Sequence, residues 1–328
     1  MFIAFAVTTG LTLVLFLTGL FVVFTPLPVA MTILRKGMWP ALVACAAALA
    51  GLVMLYQLPP EPLSFLPMMV FYPVIPLKGV VGLSVIYLFY YLWLGWVVAL
   101  ASRKTGRLSA LEPSVALMTL SGLILPVFAL IAFAFATKMD LGGDMRRGLE
   151  GLFQKMIELQ QSAGVEEQNL DLLRSAAPLV VTKFLQILPS LWIDLTLVVL
   201  SLTVLFLRRW LPAVRPFPNW PEFGLWRLQE HWIWLPIAAG SLYFANAYLV
   251  KSPPVAVVVL NALIVLGAVY FFQGLSVASY FFKTRLSPMF RMAGYVLFFL
   301  FSHVGLVVVT AVGLLDFWFD FRKLKKIA

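Results

Sequence analysis

Long apolar runs, separated by short polar or proline-containing segments, follow one another along the chain. They lie at residues 2–24, 39–56, 63–101, 112–136, 178–207, 231–250, 254–282 and 289–318. An α-helix needs roughly 20 predominantly apolar residues to cross the hydrocarbon core of a bilayer, and most of these runs reach that length. The pattern therefore predicts an all-α, polytopic transmembrane helical bundle of about 8–9 spans, some of them short or broken.

Two stretches interrupt this pattern with prolines. Residues 25–37, TPLPVAMTILRKG, predict a short helix with proline at its entry. Residues 64–79, SFLPMMVFYPVIPLKG, contain three prolines and Lys78 inside an apolar stretch. In transporters, such broken segments at membrane depth often mark binding sites, because the freed backbone groups must be covered by protein or line a water-filled cavity. A kinked helix packed against its neighbours is the alternative interpretation.

Residues 144–161 show a different periodicity. Their apolar side chains recur on one stripe of a helix, and charged side chains occupy the other face. This pattern predicts an outer amphipathic helix that lies on the membrane surface or caps the bundle from outside. The stripe consists of Met145, Leu149, Leu152, Phe153, Met156 and Ile157.

The segment 210–230 is rich in tryptophan and proline. Because tryptophan favours the headgroup region of a bilayer, we expect this segment to run along the membrane interface. It separates a predicted N-terminal transmembrane bundle, residues 1–209, from C-terminal transmembrane helices and a basic tail, residues 231–328.

The composition fits a membrane environment. Hydrophobic residues make up 62% of the 328 residues and charged residues 12%, whereas a soluble domain carries roughly a quarter charged residues. The net charge is +10, but the basic residues stand in short clusters between apolar runs. Such clusters suit cytoplasmic loops beside an anionic leaflet. We therefore expect the lipid bilayer as a partner and no nucleic acid.

Motifs for catalysis and for metal binding are missing from the sequence. There is no phosphate-binding glycine loop and no nucleophile elbow. His231 and His303 are too far apart in the sequence for an H-E-x-x-H site, and Cys45 is the only cysteine, so no cysteine pair can replace it. We expect no enzyme activity, no cofactor and no metal.

Polar residues inside the apolar runs are candidate binding residues, because each is costly in lipid. Asp194 lies near the middle of its run, and Gln186 lies eight residues earlier on a similar helical face. Lys78, on the broken segment, is the most attractive partner for Asp194. These three residues form the predicted ligand-binding set. The alternative is that Asp194 makes a structural pair with a lysine or a backbone group.

The C-terminal runs also contain polar side chains. They are expected to form hydrogen bonds across helices and hold the bundle together, with a polar pocket as the alternative. These side chains are Asn246, Asn261, Gln273 and His303.

The last run ends in a group of charged residues. Asp316 and Asp320 are one helical turn apart, with Trp318 between them and Arg322 after them. Asp320 can pair with Lys323 at i+3, and Asp316 is expected to meet a basic residue from another helix. We predict a charge collar for docking a partner, formed by Asp316, Trp318, Asp320 and Arg322. Proton coupling between the two carboxylates is the alternative.

The stretches FFQGLSVASYFF (271–282) and VGLLDFWFDFRKLKK (312–326) resemble the closing signature of the YybS-like family. These are uncharacterised bacterial multi-pass membrane proteins with a domain of unknown function. The resemblance implies a location in the bacterial inner (plasma) membrane. It implies no catalytic residues, because the activity of the family is not established.

The N-terminal half is also distantly similar to the substrate-binding subunits of energy-coupling-factor transporters and to the cell-shape protein MreD. The shared features are a long first helix, a proline-entered short helix and a third helix rich in glycine and alanine. This similarity implies a compact helical bundle that binds a small molecule from outside.

Three functions are compatible with these features. The first is transport-related small-molecule binding by a protein resembling a transporter substrate-binding subunit, with a pocket formed by the N-terminal bundle. The alternative is a membrane scaffold that docks other membrane protein subunits in an envelope or stress pathway, which the small-residue helices, the outer amphipathic helix and the terminal collar also suit. The third is an intramembrane enzyme that uses Asp194, Asp316 or Asp320; it needs two carboxylates that can meet, and we do not expect it.

Overall fold

The computed structural model describes residues 2–19, 21–57, 77–103, 111–211 and 220–323. Within these ranges the chain forms helices and no β-strand, which confirms the predicted all-α class. Six of the helices in this part of the chain are long and apolar enough to cross a membrane, and two shorter apolar helices accompany them. The fold is therefore that of a polytopic helical membrane protein.

The chain forms two compact units. Unit 1 comprises Met1–Leu185 and Leu195–Asn219, and unit 2 comprises Gln186–Asp194 and Trp220–Ala328. We predicted a division at the 210–230 connection. The structure divides the chain within that connection and also assigns the nine residues from Gln186 to Asp194, in the middle of a long helix, to unit 2.

Unit 1 contains the first six helices and both ends of the seventh. The helices are α1 (Phe2–Leu17), α2 (Pro26–Lys36), α3 (Met38–Leu55), α4 (Leu77–Arg103), α5 (Leu111–Thr137), α6 (Leu141–Ser162) and α7 (Glu167–Trp210). The short α2 begins with proline, as predicted, because the first turn of a helix does not need the missing N–H group. Most of the predicted break at 64–79 lies outside the described residues, because the description stops at residue 57 and resumes at residue 77.

Close backbone contacts and buried hydroxyl groups hold unit 1 together. A Cβ atom at Gly95 of α4 would lie 2.6 Å from the carbonyl oxygen of Pro26, so α2 and α4 approach each other closely. The Tyr90 hydroxyl of α4 lies 2.8 Å from Oγ1 of Thr196 on α7. Because both side chains are buried, this hydrogen bond satisfies polar groups that would otherwise be costly inside the unit.

The predicted amphipathic segment 144–161 lies within α6. Asp140 caps this helix, because its side chain accepts a hydrogen bond from the Gly143 N–H group at 3.1 Å. Ile157 on the apolar stripe is buried, whereas the charged residues Glu150 and Lys155 are exposed. The segment is therefore helical, and its position on the outer side of a membrane stays a prediction.

Besides the segment Gln186–Asp194, the described part of unit 2 contains four α-helices after the connection. They are α8 (Trp234–Ala245), α9 (Pro253–Arg285), α10 (Pro288–Leu300) and α11 (Ser302–Phe319), with a π-helical turn (Asn246–Val250) between α8 and α9. The run 289–318, which we predicted as one span, forms both α10 and α11. The helices separate at Phe301, whose ψ of 38° is not helical.

Two glycines bring α9 and α11 into backbone contact. A Cβ atom at Gly274 would collide with the carbonyl group of Val309, and one at Gly313 would collide with the carbonyl oxygen of Tyr270. The Gly313 Cβ atom would also lie 2.6 Å from the backbone nitrogen of Gly274. Small residues at these two positions therefore permit the closest helix pairing in unit 2.

Candidate functional site

The first candidate site lies where α7 contains Pro189. A proline inside a helix lacks an N–H group and tends to bend the helix. The next residue, Ser190, donates its backbone N–H to Oδ1 of Asn261 on α9 at 2.9 Å, and Nδ2 of Asn261 donates to the Gln186 carbonyl at 2.8 Å. In a regular helix, the N–H group of residue 190 would donate to the carbonyl group of residue 186. The Asn261 side chain therefore bonds to both of these backbone groups.

A groove of about 540 Å³ lies beside this contact, within unit 2 rather than in the N-terminal bundle where we expected a pocket. Its walls come from the segment 186–194, from α8 and from α9, and its volume falls in the roughly 300–1,000 Å³ range of small-molecule sites. Nine of its eleven lining residues are apolar, and three of those nine are alanines, which leave the space open. The residues important for the argument below are Ser190, Ile193, Ala238, Leu242, Asn261 and Val265. We call this feature the α7–α8–α9 groove.

The predicted ligand-binding residues have different positions relative to this groove. Gln186 contributes its backbone carbonyl to the Asn261 contact. Asp194 directly follows the lining residue Ile193, is half-buried, and has a buried Oδ1 atom without a hydrogen-bond donor among the described residues. Lys78 is the second residue of α4, and its side chain lies outside the described part of the structure. Its pairing with Asp194 stays a prediction.

The second candidate site is a buried polar cluster at the end of α11. The Asp316 carboxylate accepts hydrogen bonds from Nη2 of Arg322 and Nε2 of Gln273, both at 2.8 Å, and from the Phe321 N–H at 3.1 Å. The side chains of Asp316 and Arg322 have no solvent-exposed surface. We call these two residues, with Gln273 and Ser276, the Asp316 cluster.

Arg322 joins this cluster to the connection before α8. Its Nη1 atom donates to the carbonyl oxygens of Gly224 and Trp226 and to Oγ of Ser276, each at 2.8 Å. The Leu228 N–H donates to Oε1 of Gln273 at 3.1 Å. The cluster therefore ties three parts of unit 2 together: α9, the end of α11, and residues 224–228.

The ion pairs at the end of α11 differ from those we expected. The described ion-pair partner of Asp320 is Arg227, at 3.0 Å, where the sequence suggested Lys323. Asp316 meets Arg322, six residues further along its own segment, where we expected a base from another helix. The reason is the backbone of Asp320, whose left-handed conformation turns the chain back so that Phe321 and Arg322 reach the Asp316 carboxylate.

The predicted docking residues are therefore largely occupied inside unit 2. The Asp316 and Arg322 side chains are buried, and Asp320 contacts Arg227. Trp318 is 55% exposed, so it is the one of the four with a large accessible surface.

Three polar side chains of the C-terminal runs can be compared with the expected bonding across helices. Asn261 bonds to α7 and Gln273 bonds to Asp316 on α11, which confirms the expectation for these two. For Asn246 the expectation was wrong. Its side chain bonds to the backbone of Ser252, at 3.0 and 3.2 Å, because it closes the turn between α8 and α9.

Sequence reasoning missed Arg227 and Ser276. Arg227 lies in the tryptophan-rich connection, where a basic residue is expected at a membrane interface and gives no sign of its partner. Ser276 lies two residues after Gly274, in the stretch that carries the family resemblance, so that stretch was the available signal. The structure places the two signature stretches side by side, at Gly274 and Gly313.

These observations define the class of the protein. An all-α chain with apolar helices of membrane-spanning length and a buried polar contact between two of its helices is a polytopic integral membrane protein. The model of a family described as "Predicted membrane protein (DUF2232)" matches residues 66–317, so the chain belongs to this family. The match includes the whole groove and Asp316 and ends before Asp320 and Arg322. Neither a curated protein nor a solved structure matches the chain.

Proposed function

We propose that this protein binds a small molecule inside the membrane, as a transport-related binding protein that resembles a transporter substrate-binding subunit and catalyses no reaction. The observation that carries the proposal is the α7–α8–α9 groove beside Pro189. The similarity of the N-terminal half to energy-coupling-factor subunits also favours small-molecule binding, although it does not concern the groove itself. The resemblance to the YybS-like family favours the bacterial inner membrane as the location.

The construction of the groove suits a binding site. Asn261 fixes the segment 186–194 against α9, so two of the three walls are held by hydrogen bonds rather than by apolar contacts alone. A concave and largely apolar site with preformed walls is the usual form of a small-molecule site. It also agrees with the occurrence of transporter sites at irregular helices near the middle of the membrane.

The proposal is tested by filling the groove. Ala238 of α8 lines the groove and is exposed, so Ala238→Phe places a ring in the space without displacing a buried side chain. Ile237→Phe is the matched control, because Ile237 is the neighbouring exposed residue and does not line the groove. The wild-type protein and both variants are purified in mild detergent and examined by native mass spectrometry.

We expect the wild type and Ile237→Phe to retain a bound small molecule that Ala238→Phe has lost. Retention of the same molecule by all three proteins, or by none of them, contradicts the proposal. A partner protein that copurifies with an otherwise empty chain favours the scaffold instead.

The scaffold has one observation of its own. Trp318 and Phe319 at the end of α11 are 55% and 66% exposed, and aromatic residues are enriched in protein interfaces. In this alternative, the Asp316 cluster holds the end of α11 in place and Trp318 contacts the partner. Trp318→Ala should then release a copurifying protein while the unfolding temperature stays unchanged. A complex that survives this substitution removes the observation on which the alternative rests.

A further inference from the structure

We infer that the α7–α8–α9 groove binds the acyl chain of a membrane phospholipid. This inference rests on the proposed function and specifies the class of molecule that the groove takes. It follows from the hydrogen bonding of the polar lining residues, from the apolar walls and from the medium around the helices.

The polar side chains of the groove are already engaged. Oγ of Ser190 donates to the Ile187 carbonyl at 2.7 Å. The amide nitrogen of Asn261 donates to the carbonyls of Gln186 and Val257, each at 2.8 Å, and its oxygen accepts from the Ser190 N–H. Ser190 and Asn261 are the two polar residues of the lining, so the lining offers no free side-chain donor. A polar solute would lose its hydrogen bonds to water there without replacing them.

The walls of the groove suit a hydrocarbon chain. Ile193, Leu242 and Val265 come from three different helices and present branched apolar side chains. All three belong to helices that are long and apolar enough to cross a membrane. The medium around such helices is lipid hydrocarbon, in which acyl chains are abundant and already free of water. Packing against these walls then depends on shape and dispersion, which an acyl chain can provide.

Asp194 is the residue that can distinguish an acyl chain from a polar ligand. Its Oδ1 atom is buried without a donor among the described residues, but Asp194 is not part of the groove lining. An acyl chain has no donor for this oxygen, so Asp194→Asn should leave chain binding unchanged. A ligand with an amine, amide or hydroxyl group could use the carboxylate and should respond to this substitution.

The test uses the full chain in vesicles of phosphatidylethanolamine and phosphatidylglycerol. A phosphatidylcholine with a diazirine near the end of one acyl chain is added as the probe, and the crosslinked residues are mapped after irradiation. We expect crosslinks to concentrate on groove residues such as Leu242 and Val265, relative to the exposed Val258 outside the groove on α9. Ala238→Phe should abolish the groove crosslinks, whereas Ile237→Phe and Asp194→Asn should retain them.

The possible outcomes separate this inference from the proposed function. Equal crosslinking of Val258 and the groove residues overturns the inference. A polar molecule that native mass spectrometry finds bound, and that both Ala238→Phe and Asp194→Asn release, also overturns it but supports the proposed function. If Ala238→Phe does not give a folded protein by gel filtration, Leu242→Trp at an exposed lining position replaces it, with the same loss expected.

Discussion

At the scale of single residues, the Asp316–Arg322 pair shows how charge is accommodated inside unit 2. Both side chains are fully buried, and each makes further hydrogen bonds besides the ion pair. Replacing a buried pair by apolar residues often costs little, whereas removing one partner leaves an unpaired charge in a medium that solvates it poorly. The pair therefore favours one arrangement of α9, α11 and the connection over the alternatives.

We predict that Arg322→Met destabilises the protein by about 3–5 kcal/mol, because it leaves the Asp316 carboxylate buried without its cation. The measurement is the free energy of unfolding in mixed detergent micelles. Arg174→Met is the control, since Arg174 contacts Glu167 and Asp171 at the protein surface, where such pairs contribute little. Equal effects of the two substitutions would contradict a special role for the buried pair.

A second residue-scale prediction concerns Asn261. Asn261→Leu has a similar size and removes the side-chain hydrogen bonds to Ser190 and Gln186, so we expect a loss of about 1 kcal/mol in stability. Ligand retention in native mass spectrometry should fall as well, because the wall formed by segment 186–194 loosens. Val258→Leu, at an exposed position of the same helix, should change neither quantity. A stable Asn261→Leu protein that retains its ligand would show that apolar packing alone holds this wall.

Pairwise contacts of this kind were only partly accessible from the sequence. A polar amide within an apolar run is costly in lipid, so bonding across helices was predictable for Asn261 and Gln273. The partner of Asp320 was not, because Arg227 is 93 residues away along the chain and only the tertiary fold brings the two together. Local spacing suggested Lys323, but the left-handed backbone at Asp320 ends the helical geometry on which that spacing depends.

At the scale of elements, the pairing of α9 and α11 depends on two glycines. We predict that Gly313→Ala pushes the helices apart and lowers the unfolding temperature, because the added Cβ atom meets the backbone of Tyr270 and Gly274 rather than a movable side chain. Gly267→Ala, in α9, is the control. A Cβ atom there has no neighbour within 4 Å, and alanine favours a helix over glycine. Equal unfolding temperatures for the two variants would contradict the importance of this contact.

The elements themselves were predicted well where hydropathy determines them and poorly elsewhere. The proline at the entry of α2 and the periodicity of α6 were correct guides. The separation of α10 from α11 carries no such signal, because Phe301 is apolar like its neighbours. The helix α7 begins at Glu167, eleven residues before the apolar run we identified at 178, since its polar first turns are supported by ion pairs from Arg174.

At the scale of the whole molecule, the length of α7 indicates which segments of the chain lie on opposite sides of a membrane. With 44 residues it is about 66 Å long at a rise of 1.5 Å per residue, whereas the hydrocarbon core is about 30 Å thick. Its polar first turns therefore extend beyond the hydrocarbon region. Its basic end, at Arg208 and Arg209, is expected on the cytoplasmic side.

We predict opposite membrane sides for α6 and the end of α7. In a Cys45→Ala background, a membrane-impermeant maleimide should label Lys155→Cys in intact cells and Arg209→Cys only after the membrane is permeabilised. Cys45 is buried among alanines, so its replacement should be tolerated. Labelling of both positions in intact cells would place both of them on the outer side and would contradict a single crossing by α7. Labelling of both after permeabilisation is the control for accessibility.

The Asp316 cluster has a consequence for the order in which the protein is made. Arg322 is synthesised 98 residues after Gly224 and 46 residues after Ser276, yet it supplies hydrogen bonds to both. Unit 2 therefore cannot complete its interior while the ribosome is still adding α11. A chain interrupted before residue 322 would carry the Asp316 charge without its partner. Cellular proteases, which remove the less stable chains, could distinguish such a product from the finished one.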